Sequence, residues 1–385
     1  MTQQSKTIAM VAGEASGDLL GSHLMAALKQ AMPGLRFTGI GGPKMQAEGM
    51  DVLFPMEKLA VRGYVEVLRH YWEILGIRRT LRKRFINQPP DLFIGVDAPD
   101  FNLGLELALK KHGIPTIHYA SPSIWAWRGK RIHKIKRAVS HMLALFPFEA
   151  PLYQKAAVPV TYVGHPVADM LPQKPDRTAM REQMRLPSQY RIFAFLPGSR
   201  QSEVRQLAVL FIETARLILL KLPEAIFLVP LASRETRTIF EEALYRCEAQ
   251  DLPITLLFGH AHEAMIAADV VLVASGTATL EAALLKRPMV ITYRMPALSF
   301  WLMQRQRYQP YVGLPNILAG RFVVPELLQD DATPENLAQA LLNILADKKL
   351  IEELEILFGT MHETLRQDTA RKAALAILPY LAEPA

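Results

Sequence analysis

The stretch Ala268–Ile291, which reads ADVVLVASGTATLEAALLKRPMVI, decides the fold class of this chain. Val270–Ala274 is an uninterrupted apolar run, typical of a strand that is buried on both faces of a parallel sheet. Ser275-Gly276-Thr277 ends the run, and an Ala- and Leu-rich helical pattern continues to Leu285 before Pro288 stops it. The stretch therefore predicts a strand, a loop, a helix and a second strand of an α/β sheet.

The loop of this unit lies where a parallel strand ends and a helix begins. Free backbone N–H groups and the positive helix terminus meet there, so Ser275, Gly276 and Thr277 are candidates for binding a phosphate. Glu281 follows Thr277 by four residues and shares its helix face, where a carboxylate could accept hydrogen bonds from two ribose hydroxyls. The alternative for Glu281 is an ordinary surface carboxylate near a helix start.

A second turn of this kind follows the apolar run Ile192–Leu196 and reads PGSR at positions 197–200. Gly198 and Ser199 would offer backbone N–H groups to a phosphate, and Arg200 would add a charge-assisted hydrogen bond. Because the carboxyl ends of parallel strands share one edge of a sheet, we expect these turns to form one ligand site.

The first half opens with a related pattern, in which the strand Ile8–Ala12 leads into the loop GEASGD at positions 13–18. Its glycine spacing does not match G-x-G-x-x-G, and no GK[ST] follows, so neither a dinucleotide loop nor a P-loop is present. Glu14 and Asp18 would repel a diphosphate and attract sugar hydroxyls. We expect Ser16 or Asp18 to cap the following helix, which leaves Glu14 for ligand contact.

Asp97 directly follows another apolar strand, at the end where α/β sheets bind ligands. It is therefore a candidate general base, and Glu14 is its main competitor. Asp100 is expected to cap the helix that follows. His118 lies inside the next strand, where a lone histidine is more often structural than catalytic.

The composition is that of a globular protein of two domains, with 385 residues of which half are hydrophobic. The formal charge of +7 is a modest excess and does not indicate a nucleic-acid-binding protein. Cys247 is the only cysteine, which excludes an internal disulfide and a cysteine-based metal cluster and fits a reducing cytosol. No D-x-D sequence occurs, which argues against a metal-dependent transferase.

Tyr64–Ile77 carries a wide apolar stripe at helical spacing, and the basic run RRTLRKR follows at 78–84. An apolar helix face beside a basic cluster is typical of a helix that lies on a membrane surface. The alternative is a helix that packs on the core. Arg294–Tyr308 is a second basic and aromatic segment. The residues expected to face the membrane are Val67, Leu68, Trp72 and Leu75.

Both halves alternate strands and helices, so the sequence predicts two doubly wound, Rossmann-like α/β domains that face each other across a cleft. The expected boundaries are 1–170 for an acceptor- and membrane-facing domain and 171–345 for a nucleotide-sugar-binding domain. Residues 346–385 are expected to form helices that pack on the first domain or on a partner subunit, since their apolar stripes could serve a homodimer interface.

Six motifs, in their order along nearly the whole chain, resemble those of the lipid-A-disaccharide synthases. They are GEASGD at 13–18, DAPDFN at 97–102, SPSIWAWR at 121–128, LPGSR at 196–200, the segment 275–281 and LPNILAGR at 314–321. Each motif alone is weak, and the segment 275–288 is shared more widely among glycosyltransferases with two Rossmann-like domains (the GT-B type).

The resemblance implies an inverting, metal-independent glycosyl transfer that needs no cofactor. A 2,3-diacylglucosamine would move from its UDP donor to the 6-hydroxyl of 2,3-diacylglucosamine 1-phosphate, giving a β-1,6-linked disaccharide phosphate and UDP. The family's base is an aspartate that matches Asp97, and one base suffices because UDP is a good leaving group. A glycosidase would instead need two opposed carboxylates. The implied location is cytoplasmic, peripherally bound to the inner membrane.

The expected site residues follow from the motifs and the resemblance together. We expect Glu281 to hold the ribose, the turns at 198–200 and 275–277 to hold the diphosphate, and the loop after Phe258 to hold the uracil. The donor-side residues are Gly198, Ser199, Arg200, Phe258, Gly259, Ser275, Gly276, Thr277, Glu281 and Asn316. The acceptor-side residues are Glu14, Ser16, Gly17, Asp100 and Trp125.

Two other functions are compatible with such a sequence. A nucleotide-sugar epimerase of the same fold would need neither an acceptor site nor a lipid-facing surface. A non-catalytic, membrane-docked nucleotide-sugar sensor would need the loops of the second half but not Asp97.

Overall fold

The computed structural model describes residues 6–59, 64–126, 129–296, 300 and 308–382, except for the side chains of 64–71. The chain forms two compact units, Met1–Asp169 with Thr364–Ala385, and Met170–Glu363. Each unit contains one parallel sheet with helices packed against it.

The first unit is built on a parallel sheet of seven strands in the order β3-β2-β1-β4-β5-β6-β7. The strands are β1 Thr7–Ala12, β2 Arg36–Gly41, β3 Met50–Pro55, β4 Leu92–Val96, β5 Thr116–Tyr119, β6 His141–Ala144 and β7 Val160–Tyr162. The helices up to the unit's first boundary are α1 Ala15–Ala31, α2 Pro43–Ala47, α3 Tyr64–Asn87, α4 Pro99–Lys110, α5 Ile132–Ala138, α6 Glu149–Lys155 and α7 Pro166–Met170. The central strands are continuously apolar because helices cover both faces of the sheet.

The second unit is built on a parallel sheet of six strands in the order β10-β9-β8-β11-β12-β13. The strands are β8 Arg191–Leu196, β9 Ala225–Leu231, β10 Ile254–Phe258, β11 Val270–Ala274, β12 Met289–Tyr293 and β13 Glu326–Leu328. The described helices are α8 Arg177–Gln183, α9 Gln201–Leu219, α10 Arg234–Arg246, α11 Ala261–Ala267, α12 Thr277–Leu284, α13 Leu314–Ala319, α14 Pro334–Ala346 and α15 Lys348–Leu365. One large apolar core joins this sheet to α9, α10 and α14.

The two strand orders are equivalent, and both confirm the predicted doubly wound α/β fold. In each sheet the strand order reverses between two adjacent strands, β1 and β4 in the first unit and β8 and β11 in the second. Ligands of such sheets bind at the carboxyl ends of the strands beside this switch point. A ligand site is therefore expected at the loops after β1, β4, β8 and β11.

The second unit extends to residue 363, whereas the sequence suggested an end at 345. The difference arises because α15 belongs to the second core: Leu350 and Ile351 pack against it, and His362 Nδ1 lies 3.0 Å from the carbonyl oxygen of Leu284. The last described helix, α16 Thr369–Ile377, returns to the first unit and packs on α1.

Helix α3 has two different halves. Ile77, Leu81 and Phe85 are buried in a core cluster of the first unit, so the second half packs on the core. Near its middle, Trp72 is 71 % exposed and Leu75 is half-buried. The side chains of Val67 and Leu68, and the residues 297–299 and 301–307 of the second basic and aromatic segment, lie outside the described part of the chain.

Candidate active site

The turn after β4 holds Asp97 in an unusual backbone conformation. Asp97 and Ala98 have φ angles of 50° and 43°, in the left-handed region that non-glycine residues seldom adopt. The Asp97 N–H donates to the carbonyl oxygen of Tyr119 at 2.8 Å, and the buried Asn102 amide donates to the Asp97 carbonyl oxygen at 2.8 Å. The turn is thus held from two sides, and its aspartate is half-buried.

Asp97 borders a cavity of about 210 Å³ at this edge of the sheet. Asp100 lies in the same wall, and its carboxylate forms an ion pair with Arg131. Asp100 makes no side-chain cap of α4, so the predicted capping role is replaced by this pairing across the cavity. The remaining lining residues are Pro99, Ser121, Pro122, Ser123 and Ile124. A cavity lined by hydroxyls, two carboxylates and a guanidinium suits a polar ligand such as a sugar.

The loop after β1 adjoins the Asp97 turn, because a Cβ on Gly13 would lie 2.9 Å from the Cβ of Ala98. Glu14 and Ser16 are exposed there, and Gly17 is buried against Ala12 at the start of α1. Glu14 occupies the position before the helix without a side-chain capping bond, which leaves its carboxylate available.

The prediction that Ser16 or Asp18 caps α1 is wrong. Asp18 is buried, and its carboxylate accepts hydrogen bonds from the backbone N–H groups of Gly42, Lys44 and Met45 at 2.9–3.0 Å. It therefore closes the start of α2 instead of α1. Its partners lie 24 or more residues away, so local sequence carries no sign of them.

A buried His118–Glu106 pair lies in the first unit close to the Asp97 turn. His118 Nδ1 is 2.7 Å from Glu106 Oε1, and both side chains are fully buried. The carboxylate lies directly over β4, because a Cβ on Gly95 would be 2.2 Å from Glu106 Oε1. Glycine at position 95 thus makes room for the pair.

Both members of this pair have raised pKa values. Burial raises the pKa of Glu106 against the opposing effect of His118. Burial lowers the pKa of His118, but the charge and hydrogen bond of Glu106, with a smaller contribution from Asp97, outweigh burial and raise it. The two groups therefore titrate as a coupled pair. Among the described residues, His118 Nε2 and Glu106 Oε2 have no hydrogen-bond partner, which marks this pair as more than a satisfied core contact.

A second buried carboxylate, Glu149, organises the aromatic loop. Its Oε1 accepts a hydrogen bond from Trp125 Nε1 at 3.2 Å, and its Oε2 accepts from the backbone N–H groups of Leu145 and Phe146 at 3.0 Å. Burial raises the pKa of Glu149 to about 7, against the lowering effect of these hydrogen bonds. Trp125 also packs edge-on against Phe148. Sequence reasoning missed Glu149, and it fixes Trp125 beside the cavity-lining loop.

In the second unit, the turn after β8 already contains an internal anion. Glu203 Oε2 accepts hydrogen bonds from the backbone N–H groups of Ser199 and Arg200 at 3.1 and 3.2 Å. Gly198 permits this, because a Cβ there would lie 2.4 Å from the same oxygen and its φ is +111°. Of the N–H groups predicted to bind phosphate, that of Ser199 is thus occupied by Glu203, while the Arg200 side chain is 71 % exposed.

The turn after β11 carries no such carboxylate. The Ser275 N–H donates to the carbonyl oxygen of Thr292, and its hydroxyl donates to the carbonyl oxygen of Val312. Thr277 is exposed at the start of α12, and its N–H makes no hydrogen bond to any described residue. This helix start is the better anion site of the two turns.

Glu281 projects from the same helix and has a partner that the sequence did not reveal. His262 Nε2 lies 2.9 Å from Glu281 Oε2. The hydrogen bond to Glu281 raises the pKa of His262, burial opposes it, and the charge of Glu281 adds to the rise. His262 belongs to α11, which begins after the loop of Phe258 and Gly259, so α11 links that loop to Glu281. Phe258 is 55 % exposed, as a base-stacking residue would be.

The expectation that Asn316 binds the donor is corrected by its hydrogen bonds. Asn316 is fully buried; its amide donates to Val324 O and Glu326 Oε1, and its Oδ1 accepts from the N–H groups of Val323 and Val324. No capacity remains for a ligand. Glu326 also accepts from the N–H groups of Val312 and Gly313, so this pair shapes the loop against which Ser275 is bonded.

The described residues contain neither a metal-binding cluster nor a membrane-spanning helix. No group of three or more histidine, cysteine, aspartate or glutamate side chains in that part of the chain is arranged to hold a metal ion. Within the same residues, no helix combines the length and apolar character needed to span a bilayer.

Comparison with known proteins assigns the family. Residues 8–378 match the family model described as lipid-A-disaccharide synthetase. The lipid-A-disaccharide synthase of Methylobacillus flagellatus is 62 % identical over 375 residues, which is 97 % of this chain and 99 % of the relative.

Solved structures share the fold at low sequence identity. The calicheamicin glycosyltransferase CalG4 has a TM-score of 0.63 at 14 % identity, with 100 % of both chains covered. A putative UDP-N-acetylglucosamine 2-epimerase from Listeria monocytogenes also has a TM-score of 0.63, at 12 % identity, with 98 % of this chain and 95 % of that chain covered. Since one fold includes a transferase and an epimerase, the likeness shows the fold alone.

Proposed function

The chain belongs to the lipid-A-disaccharide synthase family and is a glycosyltransferase, and we propose that Asp97 is the general base of an inverting transfer. The donor is UDP-2,3-diacylglucosamine, the acceptor is 2,3-diacylglucosamine 1-phosphate, and the products are a β-1,6-linked disaccharide 1-phosphate and UDP. The observation that carries the role of Asp97 is its position at the end of β4, where it borders the cavity of the first unit.

The chemical step needs one base and one leaving group. Asp97 accepts the proton of the acceptor 6-hydroxyl, whose oxygen attacks C1 of the donor sugar on the side opposite UDP. The bond from C1 to the β-phosphate oxygen breaks, and its electron pair leaves on UDP. A positioned carboxylate typically contributes about 10²- to 10⁴-fold to such a step. The departing charge is stabilised by the Arg200 side chain and the start of α12, so the step uses no metal ion.

The second unit supplies the donor site. Thr277 and its neighbours Ser275 and Gly276 hold the diphosphate at the start of α12. Glu281 accepts hydrogen bonds from the ribose hydroxyls while His262 fixes its orientation. The exposed ring of Phe258 and the adjacent Gly259 hold the uracil.

The acceptor lies against the loops of the first unit. Glu14, Ser16 and Gly17 contribute the loop after β1, Asp100 a wall of the cavity, and Trp125 the aromatic loop. Glu14 supplies the acceptor-binding carboxylate of this loop, because the carboxylate of Asp18 is hydrogen-bonded to the start of α2.

We place the enzyme at the cytoplasmic face of the inner membrane, as a peripheral protein and homodimer. Trp72 is exposed on α3, and Arg79, Arg82, Lys83 and Arg84 are exposed farther along the same helix. An exposed tryptophan beside basic residues favours an anionic lipid surface. Replacing Trp72 and Leu75 with Ser should release the protein from anionic vesicles in flotation, whereas loss of folding would mean that the stripe belongs to the core.

The function is tested by UDP release with and without the lipid acceptor. A transferase releases UDP only when 2,3-diacylglucosamine 1-phosphate is present, and a labelled disaccharide appears in equal amount. Acceptor-independent conversion of the donor sugar would instead indicate an epimerase. Tight donor binding without any UDP release would indicate a sensor.

A further inference from the structure

A basic cavity lies at the other end of α12 from the candidate nucleotide site. It has a volume of about 340 Å³ and belongs entirely to the second unit. Its cations are Lys174, Arg177, Lys286 and Arg287, and Glu355 is the single carboxylate in its wall. The other lining residues are Gln173, Pro175 and Thr178.

Arg287 is the deepest of these cations, with an exposed fraction of 6 %. Its Nε donates to the carbonyl oxygen of Leu285 at 3.0 Å, and its Nη1 donates to that of Ala268 at 3.3 Å. Both partners are neutral, and no described carboxylate forms an ion pair with this guanidinium. Nη2 makes no hydrogen bond to any described residue. Burial, followed by the charge of Arg177, lowers the pKa of Arg287 to about 10 against the opposing charges of Glu355 and Asp269, which leaves it charged at neutral pH.

The carboxylates around Arg287 do not form an ion pair with it among the described residues. Asp269 is a buried carboxylate, and its oxygens lie 3.2 Å from Arg177, 2.8 Å from Arg181 and 3.8 Å from Arg191. It also accepts the N–H of Ile192 at 2.8 Å. Three guanidinium groups therefore share one carboxylate next to the cavity, and a buried cation without a charged partner is costly.

We propose that this cavity is a binding site for a phosphate group, with Arg287 as the buried anchor and Lys174 and Arg177 at its rim. A guanidinium fork matches the geometry of two phosphate oxygens, and Lys174 adds a mobile point charge. The bound anion would neutralise the positive charge of the cluster that Asp269 and Glu355 do not balance. The phosphate can come from free phosphate or from a lipid headgroup, which share this chemistry.

The site is separate from the donor site. Arg287 lies two residues before the start of β12 and Asp269 directly precedes β11, so the cavity lies at the amino edge of the sheet. The nucleotide residues Ser275–Thr277 follow β11 at the carboxyl edge. The eight residues of α12 separate the two ends by about 12 Å.

The test measures thermal unfolding of the full chain in inorganic phosphate and in chloride at equal ionic strength. Phosphate should raise Tm saturably in the wild type. Lys174→Glu should weaken the apparent phosphate affinity at least tenfold. Lys221→Glu, an exposed lysine of the same unit far along the chain from the cavity residues, should leave it unchanged. Arg287→Met should abolish the phosphate response. If Arg287→Met does not fold, the exposed position Lys174→Glu still tests the site.

Two added measurements define the source of the phosphate. UDP affinity should be equal in Lys174→Glu and wild type, which separates this site from the donor site. Flotation with phosphatidylglycerol vesicles that is lost in Lys174→Glu and retained in Lys221→Glu assigns a lipid headgroup, whereas a response to soluble phosphate alone assigns a free anion. An equal phosphate response in Lys174→Glu and Lys221→Glu, or none in the wild type, overturns the proposal and leaves a cation cluster that only fastens α8 to its unit.

Discussion

The turn after β4 and the turn after β11 occupy the same position in two sheets of equivalent strand order. In each, the first residue after the strand donates its N–H to the next strand, Asp97 to Tyr119 at 2.8 Å and Ser275 to Thr292 at 2.9 Å. The side chains differ, because the first turn presents a carboxylate and the second only hydroxyls and a glycine. The same position in the two sheets therefore offers a base in one unit and an anion-binding helix start in the other.

The layer behind each turn differs as well. Behind the first lie three buried polar atoms that make no hydrogen bond within the described part of the chain: Asn102 Oδ1, Glu106 Oε2 and His118 Nε2. Behind the second, Thr279 is buried and satisfied, since its hydroxyl donates to Gly276 O and accepts from the N–H of Leu314. Equivalent positions in two sheets of the same strand order thus differ in function because the side chains on the turn and in the layer behind it differ. Four experiments test this conclusion.

Asp97→Asn should have the largest effect, because it makes the first turn as uncharged as the second. Turnover should fall by about 10²- to 10⁴-fold while UDP affinity stays unchanged, since the base is lost but the donor site is not. Steady-state kinetics and calorimetry measure the two quantities. Glu14→Gln is the matched control and should retain much more activity. Near-normal turnover in Asp97→Asn with loss in Glu14→Gln would reverse the two roles.

Glu149→Gln should change stability in a pH-dependent way, through a buried carboxylate of the first unit. Burial raises the pKa of Glu149 from the ordinary 4.5 to about 7, so the native state holds this proton more tightly than the unfolded chain. The wild-type free energy of unfolding should therefore fall by roughly 3 kcal/mol from this group as pH rises through that interval.

Urea unfolding of wild type and Glu149→Gln across the interval measures this term. The stability advantage of the wild type should shrink as pH rises from about 4.5 to about 7. A difference that stays constant with pH would mean that folding does not raise the pKa of Glu149.

Glu281→Ala should weaken UDP binding by roughly 1–3 kcal/mol, because two ribose hydroxyls lose their acceptor. Glu263→Ala is the control: Glu263 lies near His262 in sequence but pairs with His260, and its loss should leave UDP affinity unchanged. Calorimetry on both variants measures the effect. Equal affinities in wild type and Glu281→Ala would remove the donor site from this helix.

His262→Ala should have the smallest effect. The hydrogen bond to Glu281 raises the pKa of His262, so its contribution to stability is present at acidic pH and is lost as pH rises through the raised value. The group is 43 % exposed, so the contribution should stay below about 1 kcal/mol. Unfolding of wild type and variant at about pH 5.5 and about pH 8.5 measures it, and a larger difference at the alkaline end would contradict the assignment.

Much of the frame could be predicted from sequence, because the signals are local. The apolar run Val270–Ala274 coincides with β11, and the helical pattern from Thr277 coincides with α12 to within one residue. Asp97 directly follows β4, as the apolar run before it predicts. Short, continuous apolar runs of this kind are typical of parallel strands that are buried on both faces.

The side-chain partners could not be predicted, because they come from distant parts of the chain. Glu281 is bonded to His262, and Asp18 to Gly42, and neither spacing follows from a helix or strand period. Asn316 was expected at the ligand because its motif resembles that of the family, yet its bonds with Glu326 make it structural. A short motif thus indicates that a residue is important, whereas its hydrogen-bond partners in the structure show whether its role is structural or ligand-binding.

The return of α16 to the first unit has a consequence for biosynthesis. Ala373, Ala374 and Ile377 of this helix are buried, and Lys6 donates a hydrogen bond to the carbonyl oxygen of Leu381. A ribosome delivers all of Met170–Glu363 between the two parts of the first unit. Synthesis runs at about 5–20 residues per second, so α1, which ends at Ala31, waits roughly 17–70 s for α16, which begins at Thr369. The inserted second unit can complete its fold during translation, whereas the first completes only near the end of synthesis.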